Sequence, residues 1–319
     1  MSETDSSRLA KNLYTSKARF IFELLQNADD NLYTQGQDPY VAFRVHPNRI
    51  VIECNEDGFT RQNLTAICDV GQSSKSSSQG YIGEKGIGFK SVFMAAWKVH
   101  IQSRNFSFEF IHRPEDSGMG MITPIWQDMR DSNIPFASTT ITLYLHDYKD
   151  PEKHDRERKI IHEQLHELQD TLLLFLRKLR TIEVSFYDEK GHQTECTTDT
   201  RSQIENSNIA LIERKCTNST NNRRGIYHIH KHIARKLARS ENRDLSVAEE
   251  ASGSFATSEI VLAFPVTEDS IYAVPIVQPQ EVYAFLPVRQ MGFNVSSNFS
   301  HLLWLTCTHA CSVSYSGRL

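Results

Sequence analysis

The chain has 319 residues, of which 39% are hydrophobic and 23% charged, and its formal net charge is −4. That is enough apolar material for one large or two ordinary domains, and the near-neutral balance argues against a dedicated nucleic-acid binder. The densest apolar patch, 172–176, falls far short of the roughly 18 residues that cross a bilayer, and the polar, acidic start Met1-Ser2-Glu3-Thr4-Asp5 is no secretory leader.

Residues 8–32 read as a helix, because Ile21, Leu24, Leu25, Ala28 and Leu32 recur at helical spacing until Gly36 and Pro39 end the pattern. Segments 40–45 and 50–54 read as two strands of a hairpin around the turn His46-Pro47-Asn48-Arg49. Asn55-Glu56-Asp57-Gly58 is a turn leaving the second strand, 61–69 a short helix, and 71–80, rich in Gly, Ser and Gln, a mobile loop. A helix over 86–97 follows, then strands at 99–103, 106–111 and 139–145. Residues 155–180 read as a second long helix with an amphipathic face suited to core packing, and 181–187 as a strand. The stretch 188–225 is polar, with a disordered or loop segment expected at 216–224. Short strands are expected at 260–264, 271–277 and 282–287, and no internal repeat is present.

Three elements carry chemistry. Glu23, Asn27 and Asp30 stand at i, i+4 and i+7, which places two carboxylates and an amide on one helix face. Such a face is ordinarily the wet side of an amphipathic helix, but Phe20 and Phe22 border this one, as apolar walls border a cleft. The second element is Gly80-Tyr81-Ile82-Gly83-Glu84-Lys85-Gly86-Ile87-Gly88-Phe89-Lys90-Ser91. Glycines let the backbone approach a ligand closely, and free N–H groups where a helix begins can hold phosphate oxygens; a tight packing point would use the same residues. A Walker A loop is excluded because Phe89 separates Gly88 from Lys90, and a dinucleotide fingerprint because Ser91 stands where its third glycine would be. The third element is the turn Asn55-Glu56-Asp57-Gly58-Phe59, where an amide or carboxylate at a strand end could accept from an adenine amino group, or where the chain could simply make an acidic turn.

In this order the three elements resemble the GHKL (Bergerat-fold) superfamily, which includes gyrase, heat shock protein 90-like chaperones, histidine kinases and MutL. Phe22-Glu23-Leu24-Leu25-Gln26-Asn27-Ala28-Asp29-Asp30 matches its first box, and Gly83–Phe89 its G-x-x-G-x-G-F loop. The wording is most similar to the ATP-binding domains of sacsin and NO VEIN-type proteins over residues 8–145, with weaker likeness to about 293.

The resemblance implies an α+β fold: an α/β sandwich of a mixed sheet covered on one face by helices, then a smaller α/β region. It implies an ATP-binding domain over 1–150, a helix plus transducer-like extension over 151–293, and an atypical tail over 294–319. It implies ATP and Mg²⁺ as cofactors. Glu23 would be the general base, and Asn27 would hold Mg²⁺ through its amide oxygen. Gly83, Gly86 and Gly88 would cradle phosphates, with Ile87, Phe89, Asp30 and Gly58 completing the nucleotide set. Lys75 or Lys85 would reach a phosphate, residues 71–80 would close as a lid, and Thr139 would sit near the adenine. The family's second box is D-x-G-x-G. The turn here departs from it, and Asn55 is the favoured equivalent of its acid, with Asp57 second.

The expected activity is slow Mg-dependent ATP hydrolysis driving lid closure in a chaperone-like or larger protein. The alternative is a non-catalytic, nucleotide-gated interaction module. A histidine kinase is disfavoured because His162 and His166 lie after the site on an undistinguished helix. The expected partners are ATP and a protein client or a second copy, with no nucleic acid and no membrane. The six cysteines, Cys54, Cys68, Cys196, Cys216, Cys307 and Cys311, are too sparse for a disulfide scaffold. With no leader, they point to an intracellular setting, cytoplasmic or nuclear. His228, His230 and His232 would share one strand face, and Cys307, His309 and Cys311 lie close in sequence; solvated or buried side chains account for both groups without a metal. The chain begins almost inside its first helix and loses family likeness after Asn294, as a truncated or alternatively spliced product would.

Overall fold

Alternation of apolar and polar residues builds a two-faced sheet whose strand ends carry the candidate site. The computed structural model describes residues 19–68, 89–113, 123–128, 139–204, 207–217, 222–235, 257–267, 276, 281–284, 286–290 and 296–299. The chain divides into two compact units, residues 13–201 with 213–223, and residues 1–12, 202–212 and 224–319. In the first, helix α1 (Arg19–Asp30) precedes the strands β1 (Tyr40–Val45) and β2 (Arg49–Cys54). Helix α2 (Arg61–Cys68), a 3₁₀ turn (Phe89–Met94), β3 (Ala96–Ser103), β4 (Phe106–Ile111), β5 (Ile125–Trp126) and β6 (Thr139–Leu145) follow. Helix α3 (Pro151–His166), a second 3₁₀ turn (Asp170–Leu174), β7 (Thr181–Tyr187) and β8 (Gln193–Gln203) come next.

The strand order is β8-β7-β1-β2-β6-β3-β4-β5. β1 and β7 run parallel and the other pairs antiparallel, so the sheet is mixed, in an α+β arrangement. The pleat sends Val41, Phe43, Ile50, Ile52, Val99, Ile101, Leu143 and Val184 to one buried face. Helix α3 packs on this face, where His162 meets Phe186 at 4.2 Å between ring centroids. The other face is polar and half-exposed: Arg44 bridges Glu53 at 2.8 Å and Glu183 at 3.5 Å. Pairs this exposed contribute at most about 1 kcal/mol, so the apolar face carries the stability.

Helix α1 is buried on nearly every side, Phe20, Ile21, Leu24 and Leu25 included. Its end is fixed by distant residues. The Asp29 carboxylate is wholly buried and accepts from the backbone N–H groups of Arg177 (2.8 Å), Lys178 (2.8 Å) and Leu179 (3.0 Å). In return Lys178 Nζ donates to the carbonyls of Asp30 (2.9 Å) and Asn31 (2.5 Å), which the helix end leaves open. Leu32, the last member of the apolar stripe, lies past the helix and is 63% exposed.

Several sequence expectations are corrected. Of the helix expected over 86–97, the described part from Phe89 on is the 3₁₀ turn followed by β3, because His146 takes up this stretch: its N–H donates to the Ala95 carbonyl (3.0 Å) and its Nε2 pairs with that of Phe93 (3.0 Å). The helix expected over 155–180 spans 151–166, with the Asp150 carboxylate capping the Glu152 N–H and Pro151 starting it. Beyond it, Arg201 donates to the carbonyls of Leu173 and Leu176, and Arg214 to that of Leu168, drawing off acceptors that a continuing helix would pair internally. The polar stretch 188–225, for which no strand is expected, contains β8 and β9 (Ile209–Cys216). β8 is polar but pairs along its length with β7.

In the second unit β10 (Arg223–Arg235) pairs with β11 (Thr257–Val266), and β11 with β14 (Ser296–Phe299), both antiparallel. β12 (Glu281–Ala284) pairs with β13 (Leu286–Gln290) and runs parallel to β14. The strand expected at 271–277 lies outside the described residues except for Ile276. Among the described residues, no helix is long and apolar enough to cross a membrane.

Replacing Asp29 by Ala leaves the N–H groups of residues 177–179 without their acceptor. Since hydrogen bonds to charged groups contribute about 1.5–3 kcal/mol each, a loss of at least about 3 kcal/mol is expected in denaturant unfolding. Leu32→Ala should change stability by less than about 0.5 kcal/mol in the same measurement.

Candidate functional site

Three strands end at one level. Cys54 of β2 stands opposite Thr139 of β6, and Thr139 opposite Ser103 of β3. The Ser103 and Thr139 hydroxyls are 2.5 Å apart, and Ser103 Oγ also accepts from the Phe59 N–H at 2.7 Å. The turn 55–59 is thus clamped over the row. On its other side the Asp57 N–H donates to the Leu32 carbonyl (2.8 Å), while Asp57 Oδ1 accepts from the Thr34 N–H (2.8 Å) and hydroxyl (3.0 Å). The Tyr33 hydroxyl bonds the Ala28 carbonyl (2.8 Å) and contacts Cys54 Sγ (3.0 Å). These contacts join the end of α1 to the end of β2.

Along α1, Glu23 and Asn27 are half-buried while their neighbours from Phe20 to Asp30 are buried. Asn31, one turn beyond Asn27, is half-buried as well. The helix therefore presents one polar line, as the sequence pattern predicts for Glu23 and Asn27. Asp30 departs from it, at 5% exposure. Arg19 Nε and Nη2 both reach Glu23 Oε1 at 3.2 Å, which orients the carboxylate. Phe89 opens the 3₁₀ turn that packs against α1. Lys75, Gly83, Lys85, Gly86, Ile87 and Gly88, with the lid expected over 71–80, lie outside the described residues.

Asn55, the favoured adenine contact, has its amide engaged on both sides: Oδ1 accepts from the Tyr40 N–H (2.8 Å) and Nδ2 donates to the Asp38 carbonyl (2.9 Å). It closes the connection between α1 and β1. Sequence reasoning passed over Glu56, which lies between the two candidates. Its carboxyl is 3% exposed and hydrogen-bonds the side chains of Thr139 and Asn31, while Oε1 has no hydrogen-bond partner among the described residues. Burial pushes its pKa up to about 7; Asp57 adds to the rise, while Thr139, Asn31 and Arg104 oppose it. Counting back two residues from Gly58, as D-x-G spacing does, gives Glu56.

Two further groups complete the turn. Gly58 has φ +87°, and a Cβ there would lie 2.4 Å from Arg104 Cγ. Arg104, itself at φ 50° in the β3–β4 turn, donates from Nε to the Asp57 carbonyl. Burial raises the neighbouring Cys54 thiol to about 12 and the Tyr33 phenol well above its usual value. Among the described residues, no group of three or more His, Cys, Asp and Glu could hold a metal ion, and this includes the exposed His228, His230 and His232. Cys307, His309 and Cys311 lie outside the described residues.

No protein-family model matches the chain. It is 49% identical over 102 residues to Protein NO VEIN of Arabidopsis thaliana, which covers 32% of this chain and 4% of that protein. It is 27% identical over 220 residues to the chaperone protein HtpG of Helicobacter hepaticus, covering 60% and 34%. With HtpG of Shouchella clausii it shares 26% over 184 residues, covering 48% and 28%. The chain thus spans about a third or less of the length of these relatives. The matches support a relationship to the GHKL or heat shock protein 90-like ATPases.

Two predictions concern the turn. Folded Glu56 keeps its proton up to about pH 7, whereas an ordinary glutamate loses it near 4.5. The folded state therefore binds more protons between these values, and unfolding free energy falls by about 3 kcal/mol as pH rises through them. In melting curves Glu56→Gln should gain stability relative to wild type from pH 5 to pH 8; a constant difference would contradict the assignment. Gly58→Ala should cost about 1–3 kcal/mol through its positive φ and the Arg104 clash. Arg104→Ala should relieve part of that cost in the double variant, measured as a coupling energy.

Proposed function

We propose that the first unit binds ATP with Mg²⁺ between α1 and the ends of β2, β3 and β6, and hydrolyses it slowly to drive closure of residues 71–80. The observation that carries this reading is the half-buried line of Glu23 and Asn27 on an otherwise buried helix, continued by Asn31, which bonds the Glu56 carboxyl, whose Oε1 has no partner among the described residues. A buried acceptor without a donor costs about 1–3 kcal/mol, and a ligand that supplies the donor recovers that free energy.

Glu56, supported by Thr139, takes the base contact in this reading, in place of Asn55 and Asp57. Glu23 accepts the proton of the attacking water once Arg19 releases its carboxylate. The amide oxygen of Asn27 is a hard donor suited to Mg²⁺, which neutralises phosphate charge when bound. Gly83, Gly86, Ile87, Gly88 and Phe89 supply backbone amides to the phosphates, Lys75 or Lys85 adds a cation, and Asp30 and Gly58 shape the walls. The HtpG matches favour a chaperone-like use of the cycle within a larger protein, with a client or a second copy as partner.

One observation favours a second reading, binding without useful turnover. Arg19 engages Glu23 through two nitrogens and would have to yield before Glu23 could serve as a base.

Calorimetric titration with a non-hydrolysable ATP analogue and Mg²⁺ tests the site. Wild type should bind saturably and Asn27→Ala should not; equal affinity in the two would refute the assignment. Glu23→Ala should keep binding and lose at least about a hundredfold in turnover. Unchanged turnover would remove Glu23 as the base, and a wild type that binds without turnover would establish the second reading.

A further inference from the structure

The backbone N–H groups that hold Asp29 belong to a basic segment, Arg177-Lys178-Leu179-Arg180, and Arg201 lies against it. Asp29 follows Asn27 by two residues, so this segment packs on the side of α1 turned away from Glu23 and Asn27. Thr181 pairs with Thr200 in the β7–β8 ladder, and the Arg201 N–H donates to the Arg180 carbonyl at 2.7 Å. Arg180 and Arg201 therefore stand directly opposite each other. Opposed residues of an antiparallel pair share a face, and like charges so placed destabilise a sheet.

Both guanidiniums are anchored over one stretch of main chain. Arg201 Nη1 donates to the carbonyls of Leu173 (3.1 Å) and Leu176 (3.0 Å), and Arg180 Nη1 to those of Arg177 (3.3 Å) and Leu179 (3.2 Å). Carbonyls orient a cation without cancelling its charge, and among the described residues neither arginine forms an ion pair. Asp29 favours the charge of Arg201, but its oxygens already accept from three N–H groups. Burial, and then Arg180, push the Arg201 pKa down to about 10, which leaves it charged at neutral pH. Arg177 is exposed, and Arg180 and Arg201 are half-buried, so the pair is open to solvent. We propose that Arg180 and Arg201 together clamp one phosphate group, with Arg177 adding charge at the rim. A carboxylate brings two oxygens and one charge, which one guanidinium fork satisfies; a phosphate monoester brings three oxygens and nearly two charges, which suits two forks. The phosphate is either free in solution or carried on a phosphorylated side chain. The site is separate from the nucleotide site and does not rest on that reading.

The test is calorimetric titration of the whole chain with inorganic phosphate at about pH 7.5, where phosphate is mostly doubly charged, and at constant ionic strength. Wild type should show saturable binding, and Arg180→Gln, which removes one charged donor group, should weaken it at least about tenfold. Acetate, with one charge and two oxygens, should bind wild type at least about tenfold more weakly than phosphate. A short peptide carrying phosphoserine separates the two sources: tighter binding than inorganic phosphate assigns a phosphorylated protein, and equal or weaker binding assigns free phosphate. A measurement on wild type alone removes any dependence on the folding of the variant. Phenylglyoxal modifies accessible arginines, and phosphate at ten times its dissociation constant should slow modification of Arg180 roughly tenfold while leaving the exposed Arg49 unchanged, as read by peptide mass spectrometry. No saturable phosphate binding, undiminished affinity in Arg180→Gln, acetate binding as tightly as phosphate, or equal protection of Arg180 and Arg49 overturns the proposal.

Discussion

Three backbone N–H groups of residues 177–179 converge on the Asp29 carboxylate across about 150 residues of chain. Lys178 returns the contact by bonding the last carbonyls of α1. The next strand after this segment is β7, which runs parallel to β1 and fixes the level of the sheet against the helix. Without that lock α1 would have a buried apolar surface but no defined axial position. With it, the polar line of α1 has a set position, and Asn31 lies beside Glu56 at the end of β2. The proposed site depends on this, because the roles proposed for Glu23 and Asn27 require a fixed distance from the opposite wall.

That opposite wall is a consequence of register. Cys54, Thr139 and Ser103 share one row across three antiparallel strands, and the turn 55–59 is held over the row by Ser103, Thr34 and Arg104. The turn is thereby forced to bury Glu56. Its carboxyl resists ionisation because desolvation outweighs the help from Thr139, Asn31 and Arg104. Such an arrangement sacrifices stability at neutral pH, as functional sites commonly do.

Much of the first unit was legible in the sequence. The boundaries of β1, β4, β6 and β7 follow from alternation and turn residues alone, and the polar line of α1 from i, i+4 spacing. What was not legible depended on partners far along the chain. The apolar run 172–176 looks helical until Arg201 takes its carbonyls. The polar strand β8 has no periodic signal and forms because β7 offers it a ladder. The place of Asn55 has a similar origin. Asn55 resembles a ligand-reading amide by type, but its two hydrogen bonds to Tyr40 and Asp38 arise from the path between α1 and β1, which spacing does not encode. Glu56 was hidden because acidic turns are ordinarily exposed.

The most direct measurement is a crystal structure of the chain with a non-hydrolysable ATP analogue and Mg²⁺. The account predicts the base at the β2–β6 row, with Glu56 Oε1 within about 2.7–3.2 Å of the 6-amino nitrogen, and the phosphates and metal at Asn27. A base seated against Asn55 or elsewhere, with Glu56 Oε1 still unpaired, would contradict it.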